Sequence, residues 1–69
     1  MNRIPVSSNN LVSVGYESRT LEVYFHDGSV YQYHYVPDNI YRGLMGASSK
    51  GTYLDQHIKK AGFSYTKIR

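Results

Sequence analysis

The stretch that decides the fold runs Leu21-Glu22-Val23-Tyr24-Phe25-His26-Asp27-Gly28-Ser29-Val30-Tyr31-Gln32-Tyr33. Leu21, Val23 and Phe25 alternate with Glu22, Tyr24 and His26, the period of a half-buried strand. Asp27-Gly28 is a turn signal, and Val30 to Val36 is dense in tyrosine and β-branched residues. The segment is a hairpin, and loop length decides its faces. A two-residue Asp27-Gly28 turn sets Leu21, Val23 and Phe25 on the face of Gln32 and His34, with Tyr31, Tyr33 and Tyr35 opposite. A three-residue loop with Gly28 in the left-handed position of a bulge shifts the register by one. It brings the apolar trio beside Tyr31 and Tyr33. Register follows the pairing that buries the apolar set, so the three-residue loop is predicted. Glu22, Tyr24, Gln32 and His34 then line the other, open face.

Upstream, Leu11 to Tyr16 is rich in valine and reads as a strand, followed by the polar turn Glu17-Ser18-Arg19. Residues 1–10 are polar apart from Ile4 and Val6, with Pro5 and the run Ser7-Ser8-Asn9-Asn10. They are predicted to be a flexible lead-in to a single domain spanning 11–69. Downstream of Pro37 the period changes to that of a helix. Ile40, Tyr41, Leu44 and Ala47 form one stripe, Pro37 suits the first turn, and Asp38 complements the helix dipole. Gly43 and Gly46 weaken this helix by about 1 kcal/mol each relative to Ala, so it should be short. Ser48-Ser49 is placed to cap a second helix with the stripe Tyr53, Leu54, His57, Ile58 and Ala61, and Gly62 to stop it. In the tail, Phe63, Tyr65 and Lys67 alternate against Ser64 and Thr66, as a fourth strand or a packed loop. The expected fold is α+β, a three-stranded antiparallel meander packed on one face against two short helices, with the tail as candidate fourth strand. Its expected core is Leu11, Val14, Leu21, Val23, Phe25, Tyr31, Tyr33, Ile40, Leu44, Leu54 and Ile58.

Composition bounds the function. The chain has 69 residues, no cysteine and no tryptophan. That argues against several domains, a disulfide scaffold or a cysteine-based zinc site. No apolar run approaches the roughly 18 residues of a membrane span, and no basic segment precedes an apolar one at the N-terminus. A cytoplasmic domain with no membrane partner is expected. Residues 1–41 carry two basic against four acidic side chains, whereas residues 42–69 carry six against one. The basic half invites a nucleic-acid partner, although charge alone favours the plainer reading, a small soluble domain with a slightly basic face.

The order Ser8, Leu11, Val14-Gly15-Tyr16, Leu21-x-Val23-x-Phe25, Asp27-Gly28, Tyr31-x-Tyr33, Val36-Pro37, Tyr41-x-x-Leu44, Ser49-Lys50-Gly51-x-Tyr53 and Ile58 resembles the KTSC domain. That family is named after a C-terminal extension of some lysyl-tRNA synthetases and also occurs as a small stand-alone bacterial protein. The resemblance covers residues 8 to 69. It implies a domain of unsettled function for which RNA binding is suggested. The family's Tyr-x-Tyr falls on Tyr31 and Tyr33, and its Ser-Lys-Gly on Ser49, Lys50 and Gly51.

Four groups of residues are candidates for that chemistry. Tyr31 and Tyr33 are expected to fill the core with their hydroxyls at its rim, which leaves Tyr24 and His34 on the open face as the stacking candidates. Ser49, Lys50 and Gly51 at a helix start form a candidate phosphate site, with an ordinary serine cap as the plain alternative. Asp38–Arg42 and Asp55–Lys59 are spaced i,i+4 and are expected to pair, leaving Lys50, Lys60, Lys67 and Arg69 for phosphates. His26, His34 and His57 share no metal-ligand spacing, and no nucleophile elbow is present. No catalytic residue, metal or cofactor is assigned. Two functions follow as expectations: an RNA-binding module, or a protein-interaction or self-association module using the open sheet face or an edge strand.

Overall fold

A computed structural model describes residues 1–69. Five strands, β1 Arg3–Pro5, β2 Leu11–Glu17, β3 Thr20–Phe25, β4 Val30–Tyr33 and β5 Tyr65–Lys67, form one antiparallel sheet in chain order. Helix α1 spans Asp38–Gly46. Helix α2 spans Lys50–Leu54 and continues as a π-helical turn, Asp55–Lys59. The α+β class holds, with two strands more than the three-stranded meander. One is the tail. The other lies in the expected lead-in, where Ile4 pairs with Val14. A three-residue strand containing proline carries no period-two signal, and Pro5 is tolerated because β1 is an edge.

The deciding hairpin has the predicted register. Leu21 faces Tyr33 and Val23 faces Tyr31. Phe25 N–H donates to the Ser29 carbonyl at 2.9 Å, which closes a three-residue loop with Gly28 at φ +92°. The β2–β3 turn is tighter. Glu17 pairs with Thr20, and Ser18 and Arg19 both take left-handed backbone (φ 51° and 65°). That is the hand a two-residue hairpin needs, supplied without glycine.

Two irregularities place the core. The pairing shifts between Leu11 and Ser13, a bulge that lets Leu11 and Val14 share the core face despite their odd spacing. After β4, Tyr35 takes φ 59°. The alternation breaks there, so Tyr35 is 77% exposed while Val36 is fully buried and donates its N–H to the Arg19 carbonyl. The buried cluster is Leu11, Val14, Leu21, Val23, Tyr33, Val36, Leu44, Leu54 and Ile58. Phe25, Tyr31 and Ile40, expected within it, are partly buried at its margin.

Pro37 stands just outside α1 as its cap. Gly43 has a role beyond weak helix propensity, because Tyr53 lies against it. A Cβ there would meet the Tyr53 ring, with Cζ at 2.7 Å. The π-helical turn alters the second helix. Lys60 N–H bonds to the Asp55 carbonyl, i to i+5. The wider turn takes His57 off the predicted stripe, and Ala61 lies past the last helical bond. Both are exposed. Gly62, at φ +87°, follows as the expected stop.

Candidate nucleic-acid interface

None of the nine core residues comes from β5, so the helix-side face of the sheet is incompletely covered there. Along this face Tyr31 pairs with Lys67 and Tyr33 with Tyr65. Phe63 and Lys59 border the uncovered part from the helical side, and Phe25 and the Asp27–Ser29 loop close its end. The result is a cleft of about 430 Å³. Its walls are aromatic: Phe25 meets Tyr31 edge-on at 5.8 Å, Tyr31 stacks on Tyr33 at 6.2 Å, and Tyr65 lies 5.8 Å from Tyr31 and 6.0 Å from Tyr33. Two ammonium groups sit over these rings, Lys59 5.2 Å from Phe25 and Lys67 5.9 Å from Tyr31. Such contacts are worth about 0.5–1 kcal/mol each at exposed sites and leave the charge free to meet an anion.

The Lys59 placement corrects the expected pairing. In an α-helix Asp55 would reach Lys59 at i+4. The wider π-helical turn brings i+5 onto the same face, and Asp55 pairs with Lys60 at 3.4 Å. Lys60 is therefore engaged and Lys59 is turned toward the cleft. The Asp38–Arg42 pair forms as expected, at 2.6 Å.

The other sequence candidates lie in two further places. At the start of α2, the Ser49 hydroxyl donates to Thr52 Oγ1 at 2.9 Å and makes no bond to the helix backbone. Lys50 Nζ donates to the Ala47 carbonyl at 3.1 Å. The space beside Gly51, expected to admit a phosphate, holds the Asn10 side-chain amide. The three residues border a polar depression with Ser7, Ser8, Asn9, Asn10 and Ser48.

The open sheet face holds Tyr24, His34 and Arg69. Tyr24 carries two guanidiniums, Arg3 at 4.9 Å and Arg69 at 5.5 Å. Arg69 also donates to the Gly28 carbonyl at 3.4 Å, and His34 bonds Thr66 Oγ1 at 2.9 Å. Arg3 pairs with Glu22 at 3.5 Å, and Gln32 Nε2 donates to Glu22 Oε1 at 2.9 Å. None of the eight sequence candidates lines the aromatic cleft, and only Lys67 comes beside it, over the Tyr31 ring. Lys59, Phe63 and Tyr65 were missed. The alternation of Phe63, Tyr65 and Lys67 was a signal for the last two, whereas nothing in the sequence announces a π-helical turn.

A family model described as the KTSC domain matches residues 7–63. The chain belongs to the KTSC domain family. It is 36% identical to an uncharacterised protein of Stutzerimonas stutzeri, over 99% of both chains. The crystal structure of a KTSC domain protein from Yersinia pestis is similar, with a TM-score of 0.88 and 41% identity over 99% of this chain and 97% of that one. The matched segment of this KTSC domain includes Lys59 and Phe63 and stops before Tyr65 and Lys67. The likeness to the Yersinia structure extends over the rest of the cleft. No helix of this KTSC domain is long and apolar enough to cross a membrane.

Two titrating groups in the cleft are perturbed. Hydrogen bonds from the Ser29 side chain and backbone hold the Asp27 carboxyl below its ordinary range. Burial, and then the neighbouring Tyr31 and Tyr65 phenols, push Tyr33 up from 10.0 to about 12. For Tyr33 the fold favours the neutral phenol, so its stabilisation is complete below pH 10.0 and is lost as pH rises toward about 12. Ionising Tyr33 should cost roughly 2–3 kcal/mol by pH 12, a 3% exposed side chain being little screened by solvent. Thermal melts across that window should show a steep alkaline loss that Tyr33→Phe flattens. An equally steep loss in the variant would assign it to other groups.

Proposed function

We propose that this KTSC domain is a cytoplasmic, non-catalytic module that binds single-stranded RNA in the aromatic cleft. The supporting observation is the placement of Lys59 and Lys67 over aromatic rings of one cleft, neither of them in an ion pair. Rings stack bases of any sequence at about 1–3 kcal/mol per base, and lysines beside them take the phosphates. The half-exposed wall, with Tyr65 at 63%, gives a base access without rearrangement. This reading moves the site from the start of α2, where Lys50 is bonded to Ala47 and Asn10 fills the space beside Gly51, to the β4–β5 end of the sheet.

Titrating isotope-labelled protein with short single-stranded RNA at two salt concentrations tests it. Shifts should cluster on Tyr31, Lys59, Tyr65 and Lys67 and weaken steeply with salt. The double variant Lys59→Glu, Lys67→Glu should lose more than about tenfold in affinity. Absence of any shift at low salt overturns the reading.

One observation favours a second use. The β5 edge is exposed along all three residues, and Ile68 beyond it is 53% exposed. Such an edge offers free backbone groups to a partner strand or to a second copy. Sedimentation that depends on protein concentration, abolished by Lys67→Pro, whose N–H points away from β4, would support it.

A further inference from the structure

The cleft walls are largely aromatic, and its rim holds one carboxylate, Asp27, a group able to distinguish bases. Asp27 Oδ1 accepts the Ser29 N–H at 2.9 Å and the Ser29 hydroxyl at 2.6 Å. These two bonds orient the carboxylate and leave Oδ2 without a partner in the chain. Asp27 borders the same cleft as Tyr31, Tyr65 and Lys59. An ionised carboxylate has acceptors only, and the two Ser29 bonds favour the ionised form.

Asp27 also orders the ligand. Its charge repels a phosphate, which the ammonium groups of Lys59 and Lys67 attract. The part of a nucleotide that meets Asp27 is then the edge of the base. Adenine, cytosine and guanine each carry an exocyclic amine on that edge, a donor matched to a free carboxylate oxygen. Uracil offers a single ring N–H flanked by two carbonyl oxygens, whose lone pairs would face the carboxylate.

On the reading that the cleft takes an RNA base, we infer that Asp27 makes it select bases with an exocyclic amine over uracil. The Asp27→Asn variant isolates this effect. Its amide oxygen retains the Ser29 bonds, while its N–H2 replaces the free acceptor by a donor.

Anisotropy titrations of labelled oligo(A), oligo(C) and oligo(U) of equal short length, at low salt, test the inference. Oligo(A) and oligo(C) should bind the natural protein about tenfold more tightly than oligo(U). Asp27→Asn should abolish or reverse that ratio, whatever it does to overall affinity. Equal affinities for all three oligomers, or a ratio unchanged in the variant, overturn the base selection and leave RNA binding standing. Binding of none of them overturns both.

Discussion

Leu54→Ala should remove about 3 kcal/mol of stability. Leu54 is 1% exposed and is the one buried residue of α2; Ile58, in the π-helical turn, is the next anchor along the same segment. Shortening a buried leucine costs its transfer free energy and a cavity term, together about 2–5 kcal/mol. The chain is small: 69 residues at about 0.05–0.15 kcal/mol each give a total of roughly 3–10 kcal/mol. A loss of this size should lower the thermal midpoint by more than about 10 °C. It should also release the segment that carries Lys59. Denaturant unfolding followed by circular dichroism measures it, and a loss below about 1 kcal/mol would show that the segment has other anchors.

Gly43→Val should cost about 2–3 kcal/mol, and its companion variants make the reason visible. Replacing a helical glycine by alanine ordinarily gains up to about 1 kcal/mol. At Gly46 a Cβ meets nothing within 4 Å, so Gly46→Ala should follow that rule. At Gly43 the Cβ would enter the Tyr53 ring, and that ring is itself packed on His57 at 4.4 Å. Gly43→Ala should therefore destabilise, and the branched valine more so. Opposite signs for the two alanine variants, measured by the same denaturant titration, are the decisive result. A gain at both positions would mean that the helices separate cheaply.

The central hairpin was legible because the register argument uses only period two and the left-handed preference of Gly28. Leu11 and Val14 were both assigned to the core although their spacing is odd, and the bulge that reconciles them has no residue signature. Tyr35 was missed for a related reason. Left-handed backbone at a bulky side chain is unfavourable locally, so sequence preference argues against what tertiary packing of Val36 requires. The π-helical turn had the widest consequence. It gives Asp55 to Lys60 in place of Lys59, and so turns Lys59 toward the cleft at the β4–β5 end of the sheet. Charge pairing read from i,i+4 spacing is only as good as the helix type it assumes.

The sheet is ordered as the chain is, and this bears on when the cleft comes into being. Strands β1 to β4 are joined by short connections, and each can close onto its neighbour early at little entropic cost. Strand β5 is separated from β4 by both helices, so its pairing closes the longest loop of the sheet and is expected to form late. Tyr65 is therefore the wall of the cleft expected to be set in place last. The cleft is thus a feature of the completed fold, built on an exposed edge strand, and a base seated there would fasten that pairing.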